Sequence, residues 1–290
     1  MIDLHCHSTV SDGEFPPSQL PKMAELNGVT ALALTDHDTT DGLEELMATD
    51  SPVERIPGVE LSCTLQKCVK IHIVGLFVDW RNPELQRTLA DIRRWRDERN
   101  VAIIARLKEM GMPLDFDEVQ AIADENNGNG VQNVVGRPHI AAALCRHGYC
   151  KNVKEAFEKY LRNDRPAYVH RQTLDAKDGI NLLHEAGASV FWAHPFKTFS
   201  KHNKVANAIK QLMFFGLDGL ETIYSEYKPA DVKYGHELAK NRRLLESGGS
   251  DFHGPRTSGN IQIGIGHPEQ PICVPEEFLQ AIKEARSRVL

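Results

Sequence analysis

Residues 2–13 read Ile2-Asp3-Leu4-His5-Cys6-His7-Ser8-Thr9-Val10-Ser11-Asp12-Gly13. The first six form a short strand, 2–7, and its period of two turns the imidazoles of His5 and His7 to one side. Asp12 follows in the next loop. The same arrangement recurs one unit later. Residues 29–35 are a continuous apolar run, as in a strand buried on both faces, and Asp36-His37-Asp38 follows directly. Between the two strands lies a helix over 17–27, entered through Pro16 and Pro17 and closed by Gly28.

Working outward, strands are predicted at 56–63, 69–78, 188–193, 217–224 and 244–250. Helices are predicted over 83–109, from an Asp175 cap to a stop at Gly187, over 203–215 and 229–242, and after Pro275-Glu276-Glu277. About seven strands, each followed by a helix or a long connection, imply an α/β fold with a parallel sheet, closed as a barrel. Residues 105–167 break the alternation, with helical candidates at 115–125, 138–147 and 152–160. They read as a small helical insertion capping a barrel formed by 1–104 and 168–290. Its turn-rich stretch Asn126-Asn127-Gly128-Asn129-Gly130 lacks the Lys-Ser/Thr of a P-loop, so 128–130 read as a turn.

Composition narrows the class. The chain has 290 residues, 34 Lys and Arg against 40 Asp and Glu, a net charge of −6 and 41% hydrophobic residues. That is an ordinary globular balance. No apolar run approaches the ~20 residues of a membrane span. The start of the chain has neither the basic region nor the apolar stretch of a signal peptide, so a cytoplasmic protein is expected. None of the six cysteines forms C-x-x-C, and they are expected as reduced thiols. The acidic excess argues against duplex nucleic acid as a partner. Nothing points to a membrane or an obligate protein partner.

The 13 histidines are the unusual feature. His5 and His7 end strand one, and Glu60 ends strand three. His72 lies in strand four. His194 ends strand five in Ala193-His194-Pro195, and Asp251 and His253 end strand seven in Ser250-Asp251-Phe252-His253-Gly254. Active sites of barrels are built at the C-terminal ends of their strands. A lone histidine there is ordinarily a hydrogen-bonded surface or core residue, and H-x-H by itself is a weak signal. The joint placement carries the argument. His5, His7, Asp12, His37, Glu60, His72, His194, Asp251 and His253 are too many for one tetrahedral ion. They suit two or three divalent ions with N/O ligands, Mn²⁺ first, with Zn²⁺ or Fe²⁺ as alternatives.

These motifs resemble the PHP (polymerase and histidinol phosphatase) family. The resemblance covers the opening stretch, Thr35-Asp36-His37-Asp38, Gly58-Val59-Glu60, the His72 strand, Ala193-His194-Pro195 and Ser250-Asp251-Phe252-His253. It implies a distorted (β/α)7 barrel with a di- or trinuclear metal site that cleaves phosphate esters. Carried over by position, one ion would take His5, His7, Glu60 and Asp251. A second would take Glu60, His72 and His194, and a third Asp12, His37 and His253. Some relatives have histidine where this chain has Asp12. The insertion with Gly136-Arg137-Pro138-His139 resembles a bacterial subgroup that removes the 3′-phosphate of nucleoside 3′,5′-bisphosphates. Some members of that subgroup trim short RNA from its 5′ end.

The expected mechanism is in-line attack on phosphorus by a metal-bridging hydroxide. Arg137 and His139, opening a helix, are candidates to anchor the second phosphate. Tyr224 is a candidate for sugar or base contact. Lys197 and His202, after strand five, are candidates for substrate contact and leaving-group protonation. Asp36 and Asp38 are candidates to orient ligand imidazoles. The expected substrate is a small phosphorylated nucleotide or a short oligonucleotide. Alternatives are a 5′→3′ exoribonuclease, a histidinol-phosphate phosphatase and a non-catalytic metal-binding module. A serine or cysteine nucleophile is unsupported, because G-x-S-x-G is absent and Cys6 sits between two candidate ligands.

Overall fold

The computed structural model describes residues 1–66, 68–125 and 135–288. In chain order the first half comprises β1 (Ile2–Cys6), α1 (Leu20–Leu26), β2 (Ala31–Leu34), α2 (Leu43–Ala48), β3 (Glu54–Leu65), β4 (Val69–Leu76), α3 (Pro83–Glu109), α4 (Phe116–Asp124), α5 (Arg137–Arg146) and α6 (Val153–Ala156). A π-helical turn at Phe157–Leu161 continues α6. Then come β5 (Leu174–Asp175), α7 (Ala176–Glu185), β6 (Ser189–Ala193), α8 (Pro195–Thr198), α9 (His202–Phe214), β7 (Gly219–Tyr224), α10 (Pro229–Arg242), β8 (Leu245–Gly249), α11 (Pro255–Ser258), the short pair β9 (Gly266–His267) and β10 (Gln270–Pro271), and α12 (Glu276–Ser287). The expected turn at 128–130 lies outside the described residues.

Local signals explain the boundaries that frame the site. Asn82 caps α3 by accepting from the backbone N–H of Glu84 and Leu85, both at 3.0 Å, with Pro83 as first residue. Asp175 caps α7 through the N–H of Lys177 at 3.0 Å, and Gly187 beyond it takes φ +72°. The helix α2 was not anticipated.

The main sheet runs β1-β2-β3-β4-β6-β7-β8, with β5 on the side of β3. The ends meet: Cys6 bridges Phe252 in parallel, Asp251 N–H donates to His5 O and His7 N–H to Phe252 O, each at 2.9 Å. The barrel is thus nearly closed. It is not uniformly parallel as expected, because β4 runs antiparallel to both β3 and β6. The cause is chain length. Only residues 66–68 separate β3 from β4, and a parallel connection needs roughly a dozen.

Alternation along the strands sorts the core into two faces. Leu32, Leu34, Leu61, Ile73, Trp192 and Leu220 pack outward against helix residues such as Leu20, Ile180, Leu183, Ile209 and Leu238. Ala31, Ala33, Ile56, Val74, Phe191 and Ala193 face the other way and meet Val274, Leu279 and Ile282 of the C-terminal segment. Glu60 and His72 share the parity of Ile56 and Val74, so they rise from this inner face.

Helices α4 to α6 have a core of their own, with Ile122, Ile140, Leu144 and Leu161 packed on Ile103, Ile104 and Leu107 of α3. Helix α3 runs unbroken through residue 105, where the insertion was expected to begin. It is therefore shared between barrel and insertion.

Candidate metal centre

The first strand delivers two imidazoles because its register slips. Ile2 pairs with Ala31 but Cys6 pairs with Leu34, so β1 spends one residue more than β2 between those points. This bulge leaves Ile2 and His5 on the same inner face and turns Cys6 outward, where its thiol donates to Ala33 O at 3.2 Å. His7 continues on the inner side. Three other positions at the barrel mouth take left-handed backbone: Asp38 at φ 54°, His194 at φ 32° and Asp251 at φ 54°. Non-glycine residues in that region are held there by their surroundings, and such strain gathers at functional sites.

Glu60 is the hub. It is fully buried in β3, at the level where β2 ends, and His37 bridges it there. Its Oε1 lies 3.0 Å from His72 Nδ1, 2.9 Å from His194 Nε2 and 3.4 Å from His5 Nε2. Its Oε2 lies 2.7 Å from His37 Nδ1 and 3.5 Å from His7 Nε2. Asp251 Oδ1 sits 3.0 Å from His7 Nε2 and 3.4 Å from His5 Nε2. Asp12 Oδ1 is 3.3 Å from His253 Nε2, and its Oδ2 is 3.8 Å from His37 Nε2.

All nine expected residues thus converge. Their donor atoms form four groups able to hold a cation: His7, Asp12, His37 and His253; His5, His7 and Asp251; His5, Glu60 and His194; and His37, Glu60 and His72. The grouping differs in detail from the expected partition, since His37 approaches Glu60 and His72, His5 approaches His194, and His7 joins Asp12, His37 and His253.

The donor atoms themselves argue for a cation. His5 Nε2, both ring nitrogens of His7, His37 Nδ1, Glu60 Oε2 and Asp251 Oδ1 are buried, and among the described residues none of them makes a hydrogen bond of good geometry, the short contacts between them included. Buried polar atoms in a native fold normally have one, and an orphan group of this kind marks a ligand site. Burial pushes the Glu60 carboxyl up, but the imidazoles of His72, His37 and His5 outweigh it and hold the group well below the usual range. Asp251 and Asp12 are held low by His5 and His253, and by His37 and His253, again against burial. Burial, then His253 and His37, lower His7 to about 3 and keep it neutral, the form that ligates a metal.

One group that sequence reasoning passed over, and one to which it gave another role, support the cluster. Glu221 of β7 is buried, with Oε1 3.0 Å from His5 Nδ1, and Oε2 accepts the N–H of His194 at 2.7 Å. A carboxylate in the middle of the strand predicted at 217–224 was the available signal. Tyr224, expected at sugar or base, donates its hydroxyl to Asp251 Oδ2 at 2.9 Å.

Asp36 and Asp38 touch no ligand imidazole. Asp36 accepts from Ser8 N–H (2.8 Å), Ser8 Oγ (2.6 Å) and Ser11 Oγ (2.7 Å), fixing the loop that carries Asp12. Asp38 accepts from Ser62 N–H and Oγ and pairs with Arg96 and with Arg171 at 3.1 Å. Lys197 pairs with Glu226, and His202 is 2.7 Å from Asp231 and stacks on Tyr234. Both are engaged on the α8–α10 side and do not line the cavities beside the cluster.

One of those cavities, of about 250 Å³, has Asp12, His37 and His72 in its wall together with Arg96, Arg99, Arg137 and Arg171. Arg137 Nη1 donates to Leu161 O at 3.0 Å, and its guanidinium lies 5.7 Å from the centre of the Phe157 ring. Burial, then Arg96, Arg171 and Arg137, bring Arg99 down to about 8. Arg96, Arg99 and Arg171 were not foreseen. His139 faces a different cavity, of about 480 Å³, which also reaches Asp12, Thr9 and Glu14. Its Nδ1 accepts the N–H of Gly136 at 3.1 Å. No helix among the described residues is long and apolar enough to cross a membrane.

The PHP domain family matches residues 3–176. A 5′-3′ exoribonuclease of Haemophilus influenzae is 35% identical over 264 residues, covering 90% of this chain and 92% of the relative. A 3′,5′-nucleoside bisphosphate phosphatase of Chromobacterium violaceum is 32% identical over 278 residues, covering 94% of each chain. Among solved structures, a Bifidobacterium adolescentis protein described as a metal-dependent phosphoesterase superposes with a TM-score of 0.82 at 26% identity, covering 98% of this chain and 95% of the other.

Proposed function

The chain belongs to the PHP domain family, and on that premise we propose that this phosphoester hydrolase removes the 3′-phosphate of nucleoside 3′,5′-bisphosphates, giving the nucleoside 5′-phosphate and phosphate. The observation that supports the substrate is one cavity lined both by Asp12, His37 and His72 of the candidate metal cluster and by four arginines. A substrate with two phosphates a ribose apart needs that pairing. Histidinol phosphate, with one phosphate, does not.

Divalent ions held by the nine residues would supply an activated water and neutralise charge on the phosphoryl oxygens. The chain's own residues do the rest. Glu60 joins the groups around it because each of its oxygens faces a different set of imidazoles. Glu221 and Tyr224 fix His5 and Asp251, so the donor atoms are preorganised. Arg96, Arg99, Arg137 and Arg171 hold the 5′-phosphate with planar donors suited to its oxygens, and Asp38 keeps Arg96 and Arg171 in place.

A second reading, trimming of short RNA from the 5′ end, uses the same chemistry. It is favoured by the second cavity at Asp12, which gives room for a nucleotide on the 3′ side of the scissile bond. The test is phosphate or nucleotide release with added Mn²⁺ from adenosine 3′,5′-bisphosphate, a 5′-phosphorylated dinucleotide and histidinol phosphate. The proposal expects the bisphosphate to lead. A lead by the dinucleotide transfers the function to RNA trimming, and a lead by histidinol phosphate defeats both.

A further inference from the structure

The arginine wall does not end at the first cavity. Arg137 and Phe157 also border a second space, of about 740 Å³, whose other lining residues are Arg162, Asn163, Asp164 and Arg165. This loop follows the π-helical turn and is bent at Asp164, which takes φ 62°. Arg162 and Arg165 are exposed and have no carboxylate partner among the described residues, and Asp164 is the one acid in this lining. Inside, Asp38 is the one acid that pairs with any of the four arginines among the described residues, and it pairs with two of them. A phosphate monoester carries a charge of roughly −2. Positive charge therefore continues outward past the place where one 5′-phosphate would be neutralised.

Direction decides what the outer charge is for. On the reading given above, on which this inference rests, the 3′-phosphate lies at the metal cluster and the 5′-phosphate among Arg96, Arg99, Arg137 and Arg171. An RNA trimmed from its 5′ end continues from the 3′ side, toward Asp12 and His139, and never reaches Arg162. Only a group attached to the 5′-phosphate itself extends past Arg137. We propose that Arg162 and Arg165 form a subsite for a second anionic group on the 5′ side, so that the substrates include nucleoside 3′-phosphates carrying a 5′-phosphoanhydride. Water cleaves the 3′ ester to a ribose hydroxyl and free phosphate, and the anhydride leaves intact on the nucleotide.

The experiment compares adenosine 3′,5′-bisphosphate with adenosine 3′-phosphate 5′-diphosphate, in the wild type and in the Arg162→Ala/Arg165→Ala double variant. Both side chains are exposed, so the variant should fold, and circular dichroism checks it. The expected result is that the double variant loses about tenfold or more in kcat/KM on the 5′-diphosphate and at most about threefold on the bisphosphate. Equal losses on both, or no loss on either, overturn the subsite. Calorimetry with the same 5′-diphosphate on metal-free protein separates the two claims. If the wild type hydrolyses neither compound, the substrate reading falls. A binding constant about tenfold weaker in the variant then still supports the subsite, and an unchanged one removes it.

Discussion

Glu221 Oε1 lies 3.0 Å from Nδ1 of His5, and its other oxygen accepts the backbone N–H of His194 at 2.7 Å. One buried carboxylate therefore orients an imidazole on β1 and pins the left-handed backbone that aims another after β6. A carboxylate on the far nitrogen fixes the tautomer of a ligating histidine and raises its basicity. Glu221→Ala should lower Mn²⁺ affinity about 10- to 100-fold. Glu221→Gln, which keeps an oxygen for one of the two bonds, should lose less. Calorimetric Mn²⁺ titration reads this directly, and an unchanged Kd in the Ala variant would contradict the role.

Glu60 has a harsher prediction attached. Five imidazoles face its two oxygens, so Glu60→Ala leaves each metal-binding group around it one ligand short. Turnover should fall at least about a thousandfold, several kcal/mol of lost transition-state stabilisation. The metal retained after gel filtration should fall too. Asp251→Ala should behave alike. Full metal content with near-normal turnover in either variant would sink the site assignment.

Much of this site could be read from the sequence, for a definite reason. His5-Cys6-His7, Asp36-His37-Asp38 and Ser250-Asp251-Phe252-His253 each combine a short strand with the residues just past it, and a barrel gathers such ends at one mouth. What escaped depends on contacts distant in the chain. The bulge in β1 shows only in its register against β2. Asp36 and Asp38 are engaged elsewhere than expected, because the groups that meet them come from segments distant in the chain. Their partners are Ser8, Ser11, Ser62, Arg96 and Arg171 instead. Reversed β4 was legible in principle, since the gap after β3 is too short for a crossover. Arg99 was legible too. It falls on the stripe Ile92, Arg99, Ile103 of α3, a charge where the helix should be apolar.

Protons compete with metal at this centre. Burial opposes charge on His37 and His253, but Glu60 and Asp12 raise His37 to about 9, and Asp12 and Asp251 raise His253 to about 10. In the metal-free chain both rings are then protonated at neutral pH, and a protonated imidazole has no lone pair for an ion. Binding must release those protons. Apparent Mn²⁺ affinity should rise with pH from 6 to 9, never fall. The binding enthalpy should change with the ionisation enthalpy of the buffer. An affinity flat across that range, with no buffer dependence, would mean that these two rings do not ligate.

Arg99 carries the opposing demands of stability and binding. The residue is only 9% exposed, and its Nε has no hydrogen-bond partner among the described residues. The charges that act on it most are the cations Arg96, Arg171 and Arg137, and no carboxylate forms an ion pair with it among the described residues. A buried charge without an ion-pair partner is costly, and a well-packed apolar side chain of similar length relieves both desolvation and repulsion. Arg99→Met should therefore stabilise the ligand-free protein, by about 1 kcal/mol or more, as replacements of strained functional groups commonly do. The same change removes a donor from the proposed 5′-phosphate site. It should raise KM for adenosine 3′,5′-bisphosphate about tenfold or more while leaving kcat nearly intact, because that phosphate does not react. Adenosine 3′-phosphate, which lacks the 5′ group, should show no such rise. Urea unfolding gives the first quantity and paired kinetics the second. A destabilised variant would mean that Arg99 has a structural counter-charge, and an equal KM rise on both nucleotides would take the 5′-phosphate out of this cavity.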